Sequence, residues 1–450
     1  QGRACAPSGG SMPVVVLPRW AGALAAAASL TVAGLATVSA ETVPAAAATH
    51  ITASGPSASP RFVGAHRAAR LPSGFTQVCP QPASPGVMQC SIVVHSQASV
   101  QAANKPASVA LSPGQLRSAY GLSQAAQASN KGTVAIVDAY NDWHATGDLA
   151  KYRSYYGLGA CKESTRCLRV VNQKGTTAWY PKGNSGWAEE ESLDLDMVSA
   201  ICPKCKIILV ESNSTTIGSL SAAEDTAVRL GAKFISNSWG GTEFSTQASY
   251  DSHFEHPGVA ITVASGDYGY GVQYPATSPD VTAVGGTTLW MKGKTRTEEK
   301  VWNLGALDGT GSGCSALEPQ QTWQSAAPYD SGCANRVDND VAADADPRTG
   351  PAVYDSYAPS GSGLRNGWQQ LGGTSASSPV IAAVYALASP GGKPATASLP
   401  TQFPYQATSG LRDITIGSDG SCGGTYLCTA ETGYDGPTGL GVPSGVNAFK

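Results

Sequence analysis

The sequence predicts an α/β fold built on a mainly parallel sheet flanked by helices. Two observations carry this: short β-branched runs recur along the chain, and stretches of helical periodicity alternate with them. Alternating strands and helices imply parallel pairing, with helices on the sheet faces. The run 133–137 (TVAIV), ending at Asp138, has the continuous apolar character of a strand buried on both faces. Runs at 206–210, 233–236 and 259–263 read the same way, with helices expected over about 189–201, 219–231 and 246–255. Active groups in such folds sit beyond the carboxyl ends of strands, where Asp138 and Asp267 fall. Further on, Gly-Gly-Thr-Ser375-Ala opens an apolar helix over 379–388, with Pro379 expected in its first turn, so Ser375 stands near a helix N-terminus.

Composition narrows the function. The 450 residues suit about three domains, or one large domain with flanking segments. Charged residues make up 14%, against about 25% in an average soluble protein, and there are 52 glycines. A net charge of -3 gives no electrostatic footprint for nucleic acid. An apolar share of 42% supplies a sizeable core.

No residue from Trp20 to Ala40 is charged, Arg19 precedes them, and Val38-Ser39-Ala40 offers small residues for signal cleavage. Residues 1–40 are therefore expected to be a leader and signal peptide, with 1–11, ahead of Met12, foreign to the native protein. An uncleaved anchor is the alternative, since the stretch could span a bilayer at about 1.5 Å per residue. Nothing later could span. Residues 41–108, rich in Ala, Ser and Pro, read as a propeptide or linker ending between about 90 and 115, and 109–450 as the main domain. Of 11 cysteines, removing Cys5 leaves five sequence-near couples: 79/90, 161/167, 202/205, 314/333 and 422/428. Short disulfides in an exported protein follow, with a redox or zinc role for the CxxC of 202–205 as a lesser alternative.

Ser375 could be an ordinary helix cap or a nucleophile helped by nearby N–H groups. None of the six histidines lies in a His-Gly-Thr-His context; His144, close to Asp138, is the one alternative base. Glu190 and Asp194, at i and i+4, flank the apolar stripe of Leu193, Met197, Val198 and Ile201, so they are expected to be partly buried with raised pKa values. An acid run at a helix start is otherwise an ordinary solvated face. Asp267, in a glycine-flanked turn after a strand, could donate a hydrogen bond to an oxyanion if protonated. It could equally be a turn aspartate.

In combination these stretches resemble the sedolisin family of serine-carboxyl peptidases, with a subtilisin-like fold. The matches are 134–138 (VAIVD), Glu190-x-x-Leu-Asp194, Asn237-Ser-Trp239-Gly-Gly, Ser265-Gly-Asp267, 340–347 (DVAADADP), Gly372-Gly-Thr-Ser375-Ala and Asp413-Ile-Thr, in family order over about 115–450. The resemblance implies that Ser375 attacks the peptide carbonyl, Glu190 takes its proton, Asp194 orients Glu190, and Asp267 completes the oxyanion hole. Asp138 and Trp239 would adjoin the cluster as proton-network and packing partners. The resemblance also implies a Ca²⁺ site from Asp413 and Asp435 with the carbonyls of Ile414, Glu431 and Gly433, Glu431 standing where the family has glycine. Two glycine-rich turns pinned by Cys422 and Cys428 are the alternative. The expected protein is a secreted, monomeric, acid-acting endopeptidase with protein or peptide substrates and no membrane attachment once its signal is removed. An exopeptidase of tripeptidyl-peptidase type and a catalytically silent binding protein are the rivals. About 70 residues after Ala40 are few for the folded prodomain such precursors usually carry.

Overall fold

The apolar runs of the sequence become the centre of the molecule. This computed structural model describes Gly2 and residues 71–79, 81, 84–95, 105–128, 132–305, 308–325, 333–357, 366–389 and 398–450. The expected signal peptide and residues 41–70 of the expected prosegment lie outside them, as does Cys5. From residue 71 onward the described chain falls in one unit, Ser59–Lys450.

Three short strands come first: β1 (Phe75–Gln77), β2 (Gln89–Cys90) and β3 (Val93–His95). Helix α1 (Pro113–Ala119) follows, then β4 (Thr133–Ala139), α2 (Ala145–Tyr155), β5 (Leu168–Asn172), α3 (Ser185–Ile201), β6 (Lys206–Ser212) and α4 (Ile217–Arg229). Next are β7 (Phe234–Asn237), β8 (Trp239–Thr242), β9 (Ala260–Ala264), β10 (Thr282–Lys292), β11 (Thr295–Val301) and β12 (Val341–Asp344). The site is completed by β13 (Ala352–Asp355), β14 (Gly367–Gly372) and α5 (Thr374–Ala388).

The main sheet runs β11-β10-β9-β7-β4-β6-β5, with β12 also paired to β10. All its pairings are parallel except the β10–β11 hairpin. Val134, Ile136 and Val137 of β4 are fully buried, as a strand covered on both faces requires. Burying each such side chain contributes about 1.5–3 kcal/mol. The run expected as a helix over 246–255 is instead a 3-10 segment, Gln247–His253, with only Gln247 of it buried.

Helix α3 departs most from its sequence pattern. It packs against α1, α2, α5, β13 and the strands β4 and β6, so it is surrounded rather than half-exposed. Every residue from Trp187 to Ile201 is buried, including five acids, and Glu190 and Asp194 are wholly rather than partly so. The Asn184 side chain caps this helix, accepting from Gly186 N and Trp187 N at 3.0 and 3.1 Å.

Helix α5 begins at Thr374, so Pro379 sits inside it and not in the first turn. Proline has no N–H for the carbonyl one turn earlier, that of Ser375. The Ser238 hydroxyl approaches that carbonyl instead, at 3.3 Å. Five disulfides join the expected couples: 79–90, 161–167, 202–205, 314–333 and 422–428. The 202–205 pair is therefore a disulfide, not half of a zinc site. Among the described residues no helix is long and apolar enough to cross a membrane.

Candidate active site

Helices α3 and α5 meet side by side, which carries the acids of one to the serine of the other. Ser375 Oγ donates to Glu190 Oε2 at 2.9 Å. Asp194, one turn further along α3, accepts from Ser238 Oγ at 2.8 Å and also hydrogen-bonds the Glu190 carboxyl. Burial raises Glu190 well above the usual carboxylate range; Asp194 and Asp138 raise it further, and the Ser375 hydroxyl opposes them. Asp194 is raised by burial and then by Asp138. These carboxyls hold protons jointly, so their titration belongs to the cluster.

The cluster extends below the site. Asp138, fully buried at the end of β4, is pushed up to about 8 by burial and by Glu211. Glu211 is itself raised to about 8 by burial, against the pull of Asn141 Nδ2, which donates to both its oxygens at 2.7 Å. Trp239 is a buried packing partner whose Nε1 donates to Val137 O at 2.8 Å.

Asp267 lies on the other side of Ser375. Its Oδ1 accepts from Thr374 N and Thr374 Oγ1 at 2.8 and 2.9 Å. Its Oδ2 is buried, and the Gln77 side chain approaches the same carboxyl. Burial lifts this carboxyl to about 7 against the Thr374 bonds, so in acid it is neutral and Oδ2 can carry a proton. Gly373, at φ +96°, makes the fit possible: a Cβ there would come within 2.1 Å of Ser91 O and 2.7 Å of Asp267 Oδ2.

Ser91 belongs to the amino-terminal segment that runs through this cleft. Its carbonyl accepts from Ser375 N at 3.0 Å, and its N–H stands 3.3 Å from Ser238 O and 3.1 Å from Ser375 Oγ. Sequence reasoning missed Ser91, Ser238 and Thr374. Ser238 lies inside the quoted Asn237-Ser-Trp239 stretch; for Ser91 no local signal existed, because the contact joins residues far apart in sequence.

His144 is not brought to Ser375. Its Nδ1 lies 3.0 Å from Ser356 Oγ, which also hydrogen-bonds Asp148 at 2.7 Å. Asp142, Asp148 and Asp355 form the one group of three among the described residues that could hold a metal ion through side chains alone. Near the C-terminus, two loops face each other: Asp413 Oδ2 accepts from Gly433 N at 2.8 Å, and Asp435 Oδ2 accepts from Glu431 N at 3.1 Å. Asp435 is buried and also holds Thr438 through Oδ1, whereas Asp413 is exposed and Ile414 buried.

A model of the subtilase family matches residues 176–406, just over half of the chain. Kumamolisin from Bacillus sp. (strain MN-32) is 31% identical over 345 residues, 70% of this chain and 59% of the relative. Sedolisin from Pseudomonas sp. (strain 101) is 27% identical over 362 residues, 73% and 59%. The chain thus spans less than two thirds of the length of the curated relatives it matches. The solved structure of Pseudomonas sedolisin, a serine-carboxyl proteinase complexed with two molecules of pseudo-iodotyrostatin, aligns with a TM-score of 0.63 at 26% identity, covering 74% of this chain and 95% of that one. With its subtilisin-like α/β sheet and this match, the chain belongs to the subtilase family, and within it is similar to the sedolisin group.

Proposed function

We propose that the protein is a secreted, acid-acting serine-carboxyl endopeptidase that hydrolyses peptide bonds in protein substrates. The single observation that carries this reading is the 2.9 Å bond from Ser375 Oγ to a fully buried Glu190. Ser375 Oγ attacks the carbonyl carbon while Glu190 takes its proton; Asp194 orients Glu190 and shares the proton within the cluster. The developing oxyanion is met by Ser375 N–H and by the proton on Asp267 Oδ2. Glu190 later returns the proton to the leaving amine, and water releases the acyl group. Support for internal cleavage comes from the main chain of residues 88–95, which passes along the cleft on both sides of Ser375. Support for export comes from the five disulfides.

The test is hydrolysis of a denatured protein from pH 3 to 8. Activity is expected to peak in acid and fall as Asp267 loses its proton near 7. Asp267→Asn mimics the neutral acid, because an amide oxygen can accept the Thr374 bonds while its NH₂ donates. That variant should keep activity within about tenfold and lose the alkaline decline, whereas Asp267→Ala should cost about 10²–10³. A neutral optimum indifferent to Glu190→Gln would transfer the base role to His144.

We also propose that Asp413 and Asp435, with the carbonyls of Ile414, Glu431 and Gly433, hold Ca²⁺. Two carboxylates and three carbonyls are a hard-oxygen donor set of the right kind, and the two loops that carry them are joined by the Gly433 N–H to Asp413 bond. The ion would link these loops. Chelation should then lower the melting temperature, with added Ca²⁺ restoring it; an unchanged melt would remove the ion from the account.

A further inference from the structure

The loop after β4 gathers acids that the reaction at Ser375 does not use. Asp142 lies in that loop, Asp148 in the first turn of α2 and Asp355 at the end of β13. One side-chain oxygen from each lies within 4.8 Å of the other two. The three residues are 2%, 4% and 1% exposed, so water reaches almost none of their charge. Protein cations do not neutralise it either: among the described residues the ion pairs involve Asp225, Glu299, Asp340 and Asp346. His144 stands beside Asp148, but its Nδ1 meets Ser356 Oγ.

The main chain grips each acid from one side. Asp142 Oδ1 accepts from His144 N at 2.7 Å, and Asp355 Oδ1 accepts from Tyr357 N at 2.8 Å. Ser356 donates to Asp148 through its N–H and its hydroxyl, each at 2.7 Å. The hydrogen bonds that hold Asp142 and Asp355 come from those two N–H groups, and the second oxygen of each, Oδ2, is buried with no hydrogen-bond partner. A buried carboxylate oxygen left unpaired is costly unless a positive charge meets it. Ca²⁺ takes oxygens at about 2.3–2.6 Å, so any two ligands of one ion stand at most about 5 Å apart. The three acids meet that limit, and each carboxylate keeps lone pairs beyond those its N–H partner uses.

We propose that Asp142, Asp148 and Asp355 form a hard-cation site that takes Ca²⁺, separate from the C-terminal loops, with water completing the shell. The ion ties the loop after β4 to the start of α2 and to the end of β13. It is structural and touches no reacting atom, so the proposal holds whatever the role of Ser375. Its influence on the acid cluster runs through the same loop: Asn141 Nδ2 bonds both oxygens of Glu211 at 2.7 Å, and Asp142 N reaches one of them at 3.4 Å. Glu211 in turn faces Asp138. An ion on Asp142 therefore fixes the donors that hold Glu211 in place.

The test counts Ca²⁺ bound per full chain by equilibrium dialysis after chelator treatment, at about pH 8 because the ligands must be ionised. Asp142→Asn/Asp355→Asn should bind one ion fewer than the unmodified chain. Asp413→Asn, which disables the C-terminal loops, should keep this ion, and Ca²⁺ at about 1 mM should still raise its melting temperature by on the order of 5 °C. A count unchanged in the double variant, or one that falls only in Asp413→Asn, would overturn the proposal. If the double variant does not fold, Tb³⁺, a luminescent oxygen-binding stand-in for Ca²⁺, decides. Trp143 adjoins Asp142 and its ring lies 4.8 Å from that of Tyr357. In the Asp413→Asn chain, Tb³⁺ emission excited through tryptophan should therefore drop severalfold on adding Trp143→Phe, and emission that is absent or indifferent to that change would overturn the site.

Discussion

Glu190→Gln is expected to slow hydrolysis of a denatured protein by about 10²–10⁴, and Ser375→Ala by on the order of 10⁶, with both variants still folded. Glutamine keeps the size of Glu190 and can still accept the 2.9 Å bond from Ser375 Oγ, but it cannot take the proton. The loss in Glu190→Gln therefore isolates proton transfer from packing. Folding should survive because glutamine matches glutamate in shape and its amide oxygen keeps the Ser375 hydrogen bond in place. Adding either change to the other should cost little more, since the two groups act as one unit. The measurement is initial rate at the acid optimum, with circular dichroism confirming the fold. Turnover by Glu190→Gln close to that of the unmodified protein would sink the assignment of the base.

Stability should fall steeply as pH rises from about 4 to 7, opposite to the acid denaturation of many proteins. Asp138, Asp142, Glu211 and Glu224 are each raised to about 8, and Asp267, Asp338 and Asp355 to about 7, all chiefly by burial. The sign follows directly. In the unfolded chain these acids ionise near 4, whereas the folded chain keeps their protons, so between those values the native state binds more protons and loses stability with each pH unit. The contribution is fully present below pH 4 and is spent as pH passes the folded values. Each such group changes stability by about 1.4 kcal/mol per pH unit, so three acting together amount to about 4 kcal/mol per unit. Calorimetry at pH 4, 5, 6 and 7 should show the melting temperature dropping at every step. A flat or rising series would mean that these carboxyls ionise inside the fold at their ordinary values.

Much of this was legible in residue order. The parallel strands were readable because strands covered on both faces need uninterrupted apolar runs, and 133–137 and 206–210 supply them. Glu190, Asp194, Asp267 and Ser375 were each ambiguous alone, yet the fold gathers all four around one point. What stayed hidden depends on tertiary neighbours. The full burial of α3 reflects helices and strands that surround it, which no periodicity within 185–201 encodes. Pro379 was expected in a first turn because proline is tolerated there; the helix starts five residues earlier, where Asp267 Oδ1 accepts from Thr374 N at its entry. Ser91 could not be found at all, since Cys90 meets Trp239 only through strand pairing between distant segments.

The proline inside α5 has one last effect. Ser238 Oγ stands 2.8 Å from Asp194 and 3.3 Å from the Ser375 carbonyl, to which Pro379 cannot donate. A hydroxyl has one hydrogen, so it can serve only one of them at a time. While Asp194 is charged, the hydrogen points to the carboxylate; once Asp194 is neutral, the carbonyl becomes the competing claimant. The hydroxyl under the first turn of α5 is thus a rotor that reads the ionisation of an acid one helix away.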